Sequence, residues 1–165
     1  MAVNRGKKFE DAIRESFEKV PGVSIDRLHD QTTHYKGSTN ICDFIVYREP
    51  YEYYFECKSV HSNTLSIHSN DPKHKYGNIS NAQWEGLLEK SQIEGVTAGI
   101  ICWWIDKDVT KFIPIQVLEM IRSEGFRSIR FDIETKTTID IQGKKKRVFF
   151  EYDMEKFLNE IQYNR

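Results

Sequence analysis

Three side chains stand close together in the sequence and could act together on a phosphate ester: Asp43, Glu56 and Lys58, the last two within Glu56-Cys57-Lys58. An acid-x-Lys triplet alone is a weak signal. The chain's acids and lysines would give about two by chance, and it has three, the others being Asp71-Pro72-Lys73 and Glu134-Thr135-Lys136. Context separates them. Asp71 lies beside proline in a polar stretch and Glu134 stands at the end of a strand in a polar run, so both read as solvated. Glu56 and Lys58 instead end the apolar run Tyr53-Tyr54-Phe55. Residues two apart on a strand share a face, so the carboxylate and the ammonium point one way and Phe55 and Cys57 the other.

Asp43 belongs one strand earlier. If residues 41–47 and 53–58 form a hairpin, a pairing sum of 99 or 101 sets Asp43 across from Glu56 or Lys58 on the same face, with directly opposite Cβ atoms ~4.5–5.5 Å apart. A sum of 100 would aim it away unless a bulge intervened. A shared face therefore requires an even loop, such as Glu49-Pro50 or Pro50-Tyr51. Two close carboxylates repel unless a cation lies between them. A hard ion such as Mg²⁺ takes one or two carboxylates plus waters and phosphate oxygens. Metal-bound water ionises more easily, and a lysine can orient it and offset developing charge. That set suits phosphodiester hydrolysis. The residues alone leave a second reading open, a cross-strand Asp43–Lys58 salt bridge with Glu56 solvated.

Several elements must position these groups. Phe9, Ile13, Phe17 and Val20 mark one face of a helix over residues 4–20, which Pro21-Gly22 ends. Strands follow at 23–28, 41–47 and 53–58. Residues 29–40 and 59–78 are polar and read as loops, the second long enough to be functional. A helix over 79–94 has Ser80 or Asn81 as N-cap. The apolar run 96–105 reads as a central strand covered on both faces. A short strand at 111–113, a helix opened by Pro114, strands at 128–133 and 148–152 and a final helix at 153–163 complete the order. The expected fold is α/β, a mixed central sheet flanked by helices, in a single domain spanning 1–165.

The motif order resembles a known family. Asp43, Glu56, Cys57 and Lys58 match the Asp…Glu-x-Lys signature of the PD-(D/E)xK nucleases, which implies a restriction-endonuclease-like core. Gly6-Lys7-Lys8-Phe9-Glu10 resembles the N-terminal helix of Holliday junction resolvases, with Glu10 at the helical acid. Asn81-Ala82-Gln83-Trp84 resembles the helix that carries a glutamine after the Glu-x-Lys strand, and Phe112-Ile113-Pro114-Ile115 is also similar. The pattern is most similar to the RecU-like resolvases, over about residues 4–122. The resemblance implies that Asp43 and Glu56 hold Mg²⁺ (Mn²⁺ being able to substitute) with the Cys57 carbonyl, that Lys58 orients the attacking water, and that Glu10 and Gln83 support the site. It implies a homodimer, because a four-way junction is cut on two strands. Cellular members carry a long stalk insertion before the aspartate. Here 14 residues (29–42) separate Leu28 from Asp43, which fits a phage-type enzyme without a stalk. Other members of the superfamily that cut duplex DNA, and a non-catalytic DNA-binding module, are the alternatives.

Arg5, Lys7, Lys8, Lys36, Lys73 and Lys75 cluster around these elements as candidate phosphate contacts. Lys144-Lys145-Lys146-Arg147 reads first as a β-turn tip and second as a DNA-backbone contact. The histidines at 29, 34, 61, 68 and 74 read as solvated or phosphate-facing. Trp84, Trp103 and Trp104 read as core or dimer interface. Three cysteines without a CxxC pair read as buried reduced thiols, and with no apolar stretch behind the N-terminal charges and no membrane-length run they imply a cytoplasmic protein. Taken alone, the formal charge of −1 argues against a whole-surface electrostatic glove for nucleic acid. It is an average over unlike parts: residues 1–9 carry +3, 58–78 carry +2, 142–147 carry +4 and 148–165 carry −2. Binding to branched DNA should therefore weaken steeply with added salt, which a titration of affinity against ionic strength measures; a flat response would remove the electrostatic basis of the reading.

Overall fold

The structure, a computed structural model, describes residues 4–28 and 40–165. Its organising element is a six-stranded mixed sheet. The strands in chain order are β1 (Ser24–Arg27), β2 (Phe44–Arg48), β3 (Tyr51–Val60), β4 (Thr64–Ser66), β5 (Val96–Trp104), β6 (Val109–Pro114), β7 (Ser128–Arg130), β8 (Ile139–Asp140), β9 (Gly143–Lys145) and β10 (Phe150–Tyr152). The sheet runs β1-β2-β3-β5-β6-β8. Among the described residues only β3 and β5 pair in parallel; the sheet's other pairs are antiparallel. β4 pairs with β7 and β9 with β10 outside this sheet.

The sheet divides the apolar residues by the period of two. Along β3, Tyr53, Phe55 and Cys57 enter one core with α1 (Arg5–Phe17) and α4 (Met154–Tyr163), while Tyr54 enters the other with α2 (Asn81–Lys90) and α3 (Ile115–Ser123). β5 alternates likewise, with Ile101 and Trp103 on the first face and Ile100, Cys102 and Trp104 on the second. Both faces are covered, hence its continuous apolar run. α1 forms because Phe9, Ile13 and Phe17 repeat every four residues and Asn4 caps Lys7 N–H. α4 starts at the Asp153 cap and buries Phe157, Leu158 and Ile161.

Three short strands, β4, β8 and β9, depart from the order read in the sequence. The segment 59–78 is not one long loop: Leu65 and Ile67 are fully buried, β4 pairs with β7, and a 3₁₀ turn spans Pro72–His74. Tyr76 stacks on Trp84 at 4.6 Å with nearly parallel rings, tying this segment to α2. β2 starts at Phe44 rather than Ile41. All three tryptophans are buried within the chain, as are the three cysteines, which are unpaired. Burial pushes the Cys42 thiol up to about 12. Among the described residues no helix is long and apolar enough to cross a membrane.

Phe55 is the hub of the α1/α4 side. Its ring lies 5.4–5.8 Å from those of Phe17, Tyr53, Phe112 and Phe157. Phe55→Ala should lower unfolding stability by about 3–5 kcal/mol. Urea denaturation measures this, and a loss below about 1 kcal/mol would show that the cluster does not hold this core together.

Candidate active site

The hairpin β2–β3 turns through the two-residue loop Glu49-Pro50, with Phe44 paired to Phe55 and Arg48 to Tyr51. The pairing sum is 99, one of the two values that bring Asp43 to the face of Glu56. The ladder stops at Phe44. Asp43 N–H donates to the Phe55 carbonyl at 3.1 Å, and its carboxylate Oδ2 accepts from Cys57 N–H at 2.8 Å. The side chain thus takes an N–H that a longer β2 would have met with a backbone carbonyl. In a strand a residue's N–H and C=O point to the same side, so the Cys57 carbonyl also faces the Asp43 side. Ile41, two residues earlier, packs on α2 where a Cβ at Gly86 would lie 2.3 Å from its Cγ2, so only glycine admits this approach.

Glu56 is 3% exposed. Its Oε1 accepts from Lys58 Nζ at 2.8 Å and from Gln83 Nε2 at 2.7 Å. The Gln83 Oε1 accepts in turn from Lys58 Nζ at 3.2 Å and from Ser80 N–H at 3.0 Å. Ser80 Oγ accepts from Gln83 N–H, closing a capping box that starts α2 and locks the glutamine. Solvated Glu56 with an Asp43–Lys58 bridge is therefore not what the structure holds: Lys58 pairs with Glu56, and Glu56 is buried.

Glu10 and Arg27 close the other side. Arg27 donates to Glu10 at 2.6 Å and to Asp11 at 2.9 Å. With Lys7, Leu28 and Asp43 these two residues line a cleft of about 440 Å³ at the start of α1. Arg27 carried no signal in the sequence, because its partners lie 16 and 17 residues away. Ser80 was one of two N-cap candidates, with Asn81; the Ser-x-x-Gln spacing is the signal that could have singled it out as a capping box.

Burial, then the Asp43 charge, pushes the Glu56 carboxyl up to about 8. Asp43 is raised by burial, against the Cys57 N–H and Lys58. Glu10 is raised by burial and by Asp43, against Arg27. Three carboxyls thus sit where their charges are disfavoured. The Glu56 Oε2 is buried with no hydrogen-bond partner. This orphaned oxygen beside Asp43 fits a hard divalent cation, for which Asp43, Glu56 and the Cys57 carbonyl could be ligands. Among the described residues no three His, Cys, Asp or Glu side chains are grouped to hold a metal by themselves. Waters and phosphate oxygens would have to complete the shell, as is usual for Mg²⁺.

The structure places the cations read as phosphate contacts in different surroundings. Lys7 lines it. Lys8 lines the neighbouring groove between α1 and β10. Arg5 lies 3.5 Å from His61, whose Nδ1 is 3.0 Å from Asp106. Lys73 is exposed on the 3₁₀ turn, and Lys75 is ion-paired to Glu85 at 2.7 Å. Lys36, His29 and His34 lie outside the described residues.

Comparison with solved structures gives a likeness of fold. The chain is similar to Hjc of Archaeoglobus fulgidus. That protein is a Holliday junction resolvase from an archaeal hyperthermophile. The superposition covers 76% of this chain and 88% of Hjc, with a TM-score of 0.51 at 19% identity. At that identity Hjc shares the mixed α/β restriction-endonuclease-like fold. No protein-family model and no curated protein matches the chain.

The raised Glu56 carboxyl gives a signed stability prediction for the metal-free protein. Its folded value lies above the unfolded value near 4.5, so the folded state holds the extra proton between about pH 4.5 and 8. Stability falls as pH rises through that window. Glu56→Gln removes the titration and keeps the shape. The variant should melt several degrees above the parent at pH 8.5 and close to it at pH 5, at about 1.4 kcal/mol per unit of displacement. Calorimetry in chelator checks this; a parent whose stability rises between pH 5 and 8 relative to the variant would contradict it.

Proposed function

We propose that the protein is a divalent-metal-dependent endodeoxyribonuclease that resolves four-way DNA junctions. The observation that carries this is the convergence of Asp43, Glu56, Lys58 and Gln83 at the end of β3, with the buried Glu56 Oε2 left without a partner. The likeness in fold to Hjc supports the choice of substrate.

In this reading Asp43, Glu56 Oε2 and the Cys57 carbonyl hold Mg²⁺. When bound, such a cation eases loss of a proton from water and offsets phosphate charge. Lys58 orients the attacking water and offsets charge that builds on the phosphoryl oxygens. Gln83, fixed by Ser80, keeps Glu56 and Lys58 in one orientation. Glu10, held by Arg27, supports the Asp43 side. Arg5, Lys7, Lys8, Lys73 and Lys75, with Lys36, hold the phosphate backbone. Two symmetric cuts need two copies of the site, so the enzyme works as a homodimer, in the cytoplasm. The 14 residues between Leu28 and Asp43 leave no length for a long stalk, which supports a compact, phage-type relative of the RecU-like enzymes.

A synthetic four-way junction and a linear duplex of the same sequence, incubated with the protein and Mg²⁺, test the reading. The junction should be cut in preference. Asp43→Asn and Lys58→Ala should each lower the rate by at least about 100-fold while junction binding in Ca²⁺ persists. Cutting of the duplex alone would move the protein to the duplex-cutting nucleases, and no cutting of either DNA would remove the enzymatic reading.

A further inference from the structure

The chain beyond α3 finds no use in the site, yet it carries the sharpest basic run. β9 and β10 form a hairpin with Lys144 paired to Glu151 and Lys145 to Phe150, and Lys146 N–H donates to the Phe149 carbonyl at 2.8 Å across the tip. Acids neutralise only part of it. Lys145 pairs with Asp108, and Lys146 shares Glu151 with Lys19. Lys144 and Arg147 are exposed and have no acidic partner among the described residues.

The base of this hairpin is fixed. Tyr152 is buried, its N–H donates to Ser16 Oγ on α1 at 3.0 Å, and its hydroxyl lies 2.9 Å from Thr110 Oγ1. Phe149 packs on Trp103 at 5.6 Å. A basic tip held on a packed base is presented in one place rather than as a swinging tail. Its place is set by α1. Lys146 and Lys8 line one groove between the hairpin and α1, while Lys7, the residue before Lys8, lines the cleft that holds Asp43. The first turns of α1 therefore separate the cleft from the hairpin, and cations lie on both sides of them.

We propose that the β9–β10 hairpin is a second DNA-backbone contact, which grips the phosphates of a duplex arm beyond the cleft through Lys144 and Arg147. A run of regularly spaced phosphates is the partner that matches cations set out from Lys7 through Lys8 to the hairpin tip. The inference rests on the nuclease reading and extends its footprint.

Fluorescence anisotropy of a labelled four-way junction, in Ca²⁺ over a series of salt concentrations, tests it with the full chain. The double variant Lys144→Ala/Arg147→Ala should bind about 10-fold more weakly at low salt, and its log–log salt slope should fall by about 2, close to 0.9 per lost phosphate contact. Its cleavage rate at saturating junction should be unchanged. Lys136→Ala and Lys156→Ala, exposed lysines outside the hairpin strands and their turn, should leave affinity and slope as they were. Circular dichroism and melting confirm that each variant is folded, and Lys144→Gln/Arg147→Gln replaces the alanine pair should that pair unfold. Unchanged affinity and slope in the folded double variant, or an equal loss in the control lysines, would overturn the hairpin contact while wild-type cutting kept the nuclease reading. Failure of the wild-type protein to bind DNA at all would overturn both.

Discussion

A carboxylate that must be buried next to another carboxylate is the constraint around which the rest is arranged. Glu56 ends the apolar part of the central strand, 3% exposed, with Asp43 beside it. Leaving such a group bare costs several kcal/mol. The structure meets the cost with Lys58 and Gln83 on one oxygen and a Cys57 N–H on Asp43, and leaves the second Glu56 oxygen unmet. The capping box of α2 serves both ends: it starts the helix and aims the glutamine that braces Glu56.

The two faces of the sheet divide the labour. The α1/α4 face is a dense aromatic pack around Phe55, with no charge at its centre. The α2/α3 face changes from apolar to polar along β3, from Tyr54 to Glu56 and Lys58. One strand can therefore anchor a core and present titratable groups, because alternate residues answer to different surroundings. α1 repeats the division, with Phe9, Ile13 and Phe17 inward and Lys7 and Glu10 at the cleft.

Much of this was legible in the sequence wherever an element spans several periods. The apolar face of α1, the continuous run of β5 and the N-cap of α2 are strong local signals. β4, β8 and β9 are two or three residues long, too short to show a period. Leu65 and Ile67, two apart in a polar run, were the only trace of β4. The shared face of Asp43, Glu56 and Lys58 could be argued from parity and an even loop. Gln83 came from resemblance, although its Ser80 partner was one of two N-cap candidates. The Arg27 bridge, the Lys75–Glu85 pair and the Arg5–His61 contact join residues distant in sequence, which periodicity cannot reach.

The turn Glu49-Pro50 is exposed, the kind of place where chains usually accept insertions freely. Here they do not come free. Asp43 lies five residues from the end of β2, roughly 17 Å along the strand, yet the parity of that loop decides which side of the sheet its carboxylate meets. One added residue would turn Asp43 toward the aromatic core unless a bulge absorbed it. Two added residues would restore it. Length variation among any descendants of this chain should therefore run in steps of two at this turn, a spelling rule imposed from the far end of the hairpin.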